Sequence, residues 1–138
     1  MCIRDRLLHR LFRTLPDFPA AEQKQVIQTI LDNERHFNDK EKTAMAAEVL
    51  RVLENHDYAA LFSPQARGEV PMIGEIMLNN KSYAVSGQVD RLLVEPNRVV
   101  VVDYKTNRPP VESEADVPEI YRLQMQSYKL LLLSLIHI

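Results

Sequence analysis

Arg98-Val99-Val100-Val101-Val102-Asp103-Tyr104-Lys105 is the stretch on which the reading of this chain turns. Four consecutive β-branched residues favour strand, and unbroken apolar character predicts a strand buried on both faces over residues 98–104. Residues two apart on a strand share a face, so Asp103 and Lys105 project together and Tyr104 points away. A charged pair thus emerges where a dry core ends. Alone, the tripeptide is a weak signal, and the salt-bridged end of an ordinary strand is the plainer reading.

Glu95-Pro96-Asn97 marks a turn before this strand, and Lys81–Val94 reads as the strand before it, carrying Asp90. If the two pair as a hairpin, Asp90 and Asp103 come close to opposite each other. Two facing carboxylates repel unless a cation sits between them. Mg²⁺ meets that need, being hard, oxygen-seeking and content to keep several waters. The plainer alternative is one solvated and one buried Asp, held by Lys105 and Arg91. Asn79-Asn80 marks an earlier turn, and residues 69–78 read as a first strand. Glu69 on that strand is either a third carboxylate of the site or an exposed edge charge. Gly87 admits a close approach of backbone or substrate, or else a bulge.

Upstream the period changes to that of helices. Leu8, Leu11, Phe12 and Leu15 share a face until Pro16. A second helix is predicted over residues 20–37, with Val26, Ile27, Ile30 and Leu31 on one side and His36 near its C-terminus. Asn38-Asp39-Lys40-Glu41 has the form of a capping box. It opens a third helix in which Met45, Val49, Val52, Leu53 and His56 share a face. Residues 58–62 suggest a short helical turn. His9 lies at the edge of the first apolar face, where a histidine is ordinarily structural.

Downstream, Asn107-Arg108-Pro109-Pro110 breaks the chain. Asp116-Val117-Pro118-Glu119 supplies a cap, an early proline and a dipole-matched acid for a last helix over residues 117–133. Gln124 and Tyr128, four apart, share a face there. They either form the polar boundary of an apolar stripe or belong to a helix that covers a site. The order is helices, a three-stranded meander, then a covering helix: an α/β (α+β) domain.

The chain has 138 residues, 46% hydrophobic and 26% charged, and so reads as one globular domain. Its net charge of -2 neither suggests nucleic acid nor excludes it, since a carboxylate metal site subtracts positive charge. One cysteine, Cys2, excludes a disulfide framework and a Cys-ligated zinc or iron–sulfur site. No apolar run is long enough for a membrane span or a secretory signal, which points to the cytoplasm. Residues 1–6 (MCIRDR) and 134–138 (SLIHI) read as translated sequencing adaptor, with neither a cap nor a fit to the neighbouring period; His137 falls in the second. On this reading residues 7–133 are the native part of a longer protein.

Taken together, Gly87-Gln88-Val89-Asp90-Arg91-Leu92, Val102-Asp103-Tyr104-Lys105-Thr106-Asn107 and Gln124-x-x-x-Tyr128 resemble the RecB-type branch of the PD-(D/E)XK nucleases, most closely the C-terminal nuclease domain of AddA-type helicase-nucleases of bacterial double-strand-break repair. Arg67-Gly68-Glu69-Val70-Pro71 and Leu8-His9-Arg10-Leu11 fit the same likeness, which spans residues 7–133. It implies a restriction-endonuclease-like core and Mg²⁺-dependent hydrolysis of DNA. Asp90 and Asp103 would ligate the metal, with His9 and the Tyr104 carbonyl as further ligands. Lys105 would hold the attacking water, Glu69 would orient water or metal, and Gln124 and Tyr128 would face the site. The implied partners are DNA, an AddB-type subunit and a helicase domain of the same parent chain; no membrane is involved. Val89 stands where the family's literal proline would be. The strand expected after the last helix is missing, as are the iron–sulfur cysteines of AddB-type relatives. A non-catalytic DNA-binding or scaffold domain, or a regulatory module outside DNA repair, is the competing reading.

Overall fold

A computed structural model describes residues 2–105 and 111–136. The loop expected at Asn107-Arg108-Pro109-Pro110, residues Thr106 and Asn107 of the second motif, and His137 lie outside the described residues. The chain divides into two compact units, Met1–Arg67 with Leu93–Arg98, and Gly68–Leu92 with Val99–Ile138.

The first unit is built on three helices, α1 (Ile3–Thr14), α2 (Ala20–Asp32) and α3 (Asp39–Leu53). Helix α1 buries Leu7, Leu8, Leu11 and Phe12, the 3–4 spacing of an apolar stripe. Ile27 and Leu31 of α2 and Met45 and Val49 of α3 are buried likewise. Each such side chain withdrawn from water contributes about 1.5–3 kcal/mol. Arg4 of α1 reaches Glu48 of α3 at 2.6 Å, and Phe12 stacks on Phe62 with ring centroids 6.0 Å apart.

The capping box forms as expected: Glu41 N–H donates to Asn38 Oδ1 at 2.9 Å, and Asn38 N–H donates to Glu41 Oε2 at 2.8 Å. Three helical expectations are corrected. Residues 2–6 do carry a cap, because Cys2 Sγ accepts from Asp5 N–H and the Asp5 carboxylate accepts from Cys2 N–H. Helix α2 stops at Asp32 instead of running to Phe37, since Asp and Asn compete for backbone hydrogen bonds; Asn33 turns its side-chain amide back to the Thr29 carbonyl at 2.8 Å. His36 is therefore not on that helix, and its Nδ1 stands 3.9 Å from Glu34. Helix α3 ends at Leu53, and His56, exposed, instead opens a 3₁₀ segment, His56–Phe62, which contains the expected helical turn.

The second unit is built around the strands β1 (Arg67–Leu78), β2 (Lys81–Val94) and β3 (Val99–Val102), in spatial order β1-β2-β3, with the helix α4 (Glu119–Ile136). Asn79 and Asn80 join β1 to β2 with φ of 50° and 62°. Positive φ at both central residues is the type I′ geometry that matches strand twist, and Asn adopts it at low cost. The turn at 95–98 closes by a bond from Glu95 N–H to the Arg98 carbonyl at 2.8 Å, reinforced by the Arg98–Glu95 ion pair.

Met72 and Ile76 of β1, Val89 of β2, and Tyr128 and Leu131 of α4 form the buried centre of this unit, with Val70, Val85, Val101 and Met125 packed around it. Alternation on β1 leaves Ile73 and Met77 exposed on the opposite face. Gly74 lets α4 approach: a Cβ there would lie 2.7 Å from Leu131 Cδ2.

Two further expectations change. The four valines of β3 are half-buried, not buried on both faces, because β3 is an edge strand of the described sheet. Helix α4 begins at Glu119, not at Val117. Residues Glu114–Asp116 form a 3₁₀ turn, and the Pro118 carbonyl accepts the first helical bonds, from Tyr121 and Arg122 N–H at 3.0 and 3.3 Å. The helix also continues beyond residue 133, to Ile136.

Candidate active site

Strand β3 ends at Val102, two residues short of the expected Tyr104. The cause lies on β2. The Tyr104 N–H, which would continue the ladder, donates instead to Asp90 Oδ2 at 2.5 Å. A carboxylate thus takes the place of a main-chain carbonyl, and Asp103-Tyr104-Lys105 leaves the sheet as an extended tail. A charge-assisted bond of this kind is stronger than a neutral ladder bond.

On that tail, Lys105 and Asp103 do meet, as their spacing predicted: Lys105 Nζ forms an ion pair with Asp103 Oδ2. The Asp103 side chain is only 11% exposed and that of Lys105 35%. Lys105 Nζ also donates to Gln124 Oε1 at 3.2 Å and sits 4.5 Å from the centroid of the Tyr121 ring. The ring face attracts the ammonium electrostatically. An ammonium carries three N–H donors; Asp103 and Gln124 take two of them.

The chain of contacts continues inward. Gln124 Nε2 donates to the Tyr128 hydroxyl at 3.3 Å, and Tyr128 is 4% exposed. Its hydroxyl reaches the backbone of Gly87: a Cβ added there would stand 2.4 Å from Tyr128 Oη and 3.2 Å from Cζ. Gly87 therefore accommodates a phenol, which answers the question its place in β2 raised. Asp103, Lys105, Gln124, Tyr128 and Gly87 form one continuous line from the rim of the sheet into the core.

Tyr104 points the other way, as predicted. Burial pushes its phenol well above the usual value of 10.0, the nearby Arg91 guanidinium opposing the shift and Asp90 adding to it. Arg91 is itself 4% exposed, and its Nη1 lies 3.5 Å from where a Gly68 Cβ would stand. Asp90 and Arg91, adjacent on β2, therefore both act on Tyr104, the first on its amide and its phenol, the second on its phenol.

Glu69 is exposed and holds a φ of 51°. A left-handed backbone at a non-glycine residue inside a strand stores strain. His9 lies half-buried on α1, in the first unit. Among the described residues, no group of three or more His, Cys, Asp or Glu side chains is gathered for a metal ion.

Two participants are not among the residues expected from the sequence. Tyr121, three residues before Gln124, lay on the same helical face, and that period was the available signal. Arg122 carries no local sequence signal: it turns back to donate from Nε to the Val117 carbonyl at 3.0 Å and from Nη2 to the Ala115 carbonyl at 2.9 Å.

Beside Lys105 a cleft of about 350 Å³ opens. Its walls include Val111, Val117, Pro118, Tyr121 and Met125. Among the described residues no helix is long and apolar enough to cross a membrane.

The comparisons agree with this architecture. The model of the PD-(D/E)XK nuclease superfamily matches residues 3–136. No curated protein matches the chain.

Proposed function

We propose, on the premise that this chain belongs to the PD-(D/E)XK nuclease superfamily, that it is the Mg²⁺-dependent DNA exonuclease domain of a bacterial helicase-nuclease of the AddA type. The superfamily consists generally of nucleases, hydrolases of phosphodiester bonds that typically use divalent metals. The observation that carries the proposal is the arrangement of Asp90, Asp103 and Lys105 about the end of the sheet. Asp90 is fixed by the Tyr104 amide, while Lys105 is held between Asp103 and Gln124.

The donor set fits a hard divalent cation. Asp90 on β2 and Asp103 just beyond β3 offer carboxylate oxygens, and the Tyr104 carbonyl is a third oxygen of the right kind. Mg²⁺ is commonly held by one or two carboxylates, with water and substrate phosphate completing its shell. The two aspartates therefore suffice without a third acid. When bound, the ion supplies Lewis acidity, making water nucleophilic and neutralising charge on the phosphate.

The chain's own groups do the rest. Asp90 keeps a fixed orientation because it also terminates the sheet. Lys105 Nζ, paired with Asp103, is the cation assigned to the attacking water or a phosphate oxygen. Gln124 holds that ammonium in place, and Tyr128, packed on Gly87, holds Gln124. Preorganised donors of this kind need no reorganisation as charge develops. Water would attack phosphorus in line and pass its proton to solvent, the bond to the leaving oxygen breaking with its electron pair, and Lys105 would stabilise the negative charge on the phosphate oxygens.

Glu69 is assigned the orienting of water or metal. The proposed partners are DNA, an AddB-type subunit and a helicase domain of the parent chain, in the bacterial cytoplasm at the nucleoid.

The test is incubation of the purified protein with linear DNA and Mg²⁺, beside Asp103→Ala and a chelator control. Cleavage by the wild type alone, abolished by EDTA, is expected. A folded wild type that binds DNA without cutting it points to the non-catalytic scaffold instead.

A further inference from the structure

A lysine that must stand at one place needs outside help. Its ammonium ends a flexible four-carbon stem, and holding one rotamer costs entropy. Lys105 also lies beyond β3, on the tail that has left the sheet. Asp103 forms an ion pair with Nζ, but it belongs to the same tail and does not fix the ammonium relative to α4. Two side chains of α4 do. Gln124 Oε1 accepts from Nζ at 3.2 Å, and the Tyr121 ring centroid lies 4.5 Å from Nζ. Three apart on a helix, Tyr121 and Gln124 are neighbours on one face.

The ammonium occupies a place that is not in itself favourable to it. The N-terminal turn of a helix carries partial positive charge, and α4 begins at Glu119, two residues before Tyr121. Arg122 as well as Glu114 lines the cleft beside Lys105. The face of an aromatic ring has the opposite sign and attracts a cation within about 6 Å of its centroid. The Tyr121 contact lies inside that range, and the residue is half-buried. Its backbone is braced as well. Tyr121 N–H donates to the Pro118 carbonyl at 3.0 Å, and Arg122, the next residue, clasps the Val117 and Ala115 carbonyls. Helix ends otherwise fray; here the turn that carries the ring is fastened.

We propose that Tyr121 is the positioning residue of Lys105, its ring keeping the ammonium in place when the Asp103 carboxylate is engaged by the metal. The proposal rests on the nuclease reading above. A carboxylate that serves a divalent cation holds a neighbouring ammonium less strongly, because the ion is the larger local charge. The ring is neutral and keeps its attraction. It also imposes no direction on the N–H bonds, whereas a hydrogen bond does. The ammonium can therefore turn a donor toward water or a phosphate oxygen without losing the contact. Tyr121 touches neither of these; it acts through Lys105.

The test compares Tyr121→Leu, which keeps an apolar, helix-forming side chain, with Tyr121→Phe, which keeps the ring and removes the hydroxyl. Cleavage of linear DNA with Mg²⁺ gives kcat and KM, and Tyr121→Leu is repeated in a Lys105→Met background. Without metal, the ε-methylene protons of Lys105 are followed by NMR, assigned by their loss in Lys105→Met, since protons over a ring face move upfield. The wild type should show that upfield signal. Tyr121→Leu should abolish it and lower kcat about tenfold with KM little changed, the effect of losing a partly desolvated cation–ring contact. Tyr121→Phe should recover the signal and most of the rate, and Tyr121→Leu should cost nothing further once Lys105 is gone. A Phe variant as slow as the Leu variant, an unshifted Lys105 signal in the wild type, or an equal loss in the Lys105→Met background would each overturn the role of the ring, while cleavage by the wild type leaves the nuclease standing. An upfield Lys105 signal with no cleavage of any DNA would overturn the nuclease reading and the positioning role with it.

Discussion

Replacing Gly87 with alanine tests the line of contacts from core to rim. The added methyl would lie 2.4 Å from Tyr128 Oη and 3.2–3.3 Å from Cζ and Cε1, well inside contact distance for the oxygen. Tyr128 cannot swing away, being buried among Met72, Ile76, Val89 and Leu131. Overpacking of this kind costs about 1–3 kcal/mol. Displacing the hydroxyl also removes the bond from Gln124, which contributes about 1 kcal/mol. Tyr128→Phe removes only the oxygen and leaves the nearest ring atom at an ordinary-to-tight distance, so it should relieve most of the clash. In a double-mutant cycle read by urea midpoints, Gly87→Ala should lose about 2 kcal/mol and Tyr128→Phe about 1 kcal/mol. The double variant should lose clearly less than their sum. Losses that add to within about 0.5 kcal/mol would show that the phenol does not press on Gly87, and the chain of support for Lys105 would fall with it. The same cycle run on DNA cleavage should show Gly87→Ala losing more rate than stability, because Lys105 is at the far end.

Other outcomes follow from neighbouring features. Lys105→Met should lower cleavage about 10²–10³-fold with the fold retained by circular dichroism, the loss typical of one electrostatic donor; a change under about threefold would remove Lys105 from the chemistry. Tyr104 has its folded-state pKa raised above the ordinary 10.0. Its contribution to stability is complete below that value and declines as pH rises past it, because the unfolded chain ionises first. Tyr104→Phe should therefore flatten the fall in urea midpoint between pH 9 and pH 11, roughly the range about the reference pKa, and an unchanged slope would contradict the burial. Glu69→Gly should stabilise the protein by about 1 kcal/mol by freeing its left-handed backbone, yet slow cleavage; a stabilised variant of undiminished rate would make Glu69 an edge charge only.

What could be read from the residues depended on whether a signal was local. The Asn79-Asn80 turn, the Asn38–Glu41 box and the limits of β2 each follow from a few adjacent side chains and stand as predicted. So does the shared side of Asp103 and Lys105, which needs only the period of a strand. The readings that changed depended on partners distant in sequence, or on a residue in an uncommon role. Nothing in Val99–Val102 tells that Asp90 will claim the next amide and stop the strand. Cysteine is a rare N-cap, so the start of α1 carried no recognisable signal. The end of α2 is not legible locally, because the polar residues after Asp32 do not in themselves forbid a helix. Gly87 could be noticed but not explained until Tyr128, remote in the chain, was seen against it. The roles of Tyr121 and Arg122 came from where α4 begins, which Pro118 and not Asp116 decides.

The bond between Asp90 and the Tyr104 amide has a bearing on any descendant of this domain that has given up its reaction. An acceptor at position 90 finishes the sheet whether or not DNA is ever cut, so selection for mere foldedness suffices to retain an acid or an amide there. Position 105 has no comparable architectural duty, because its ammonium touches only the rim. Among homologues, then, the aspartate of β2 would outlive catalysis, and loss of the lysine would be the earlier mark of a retired enzyme.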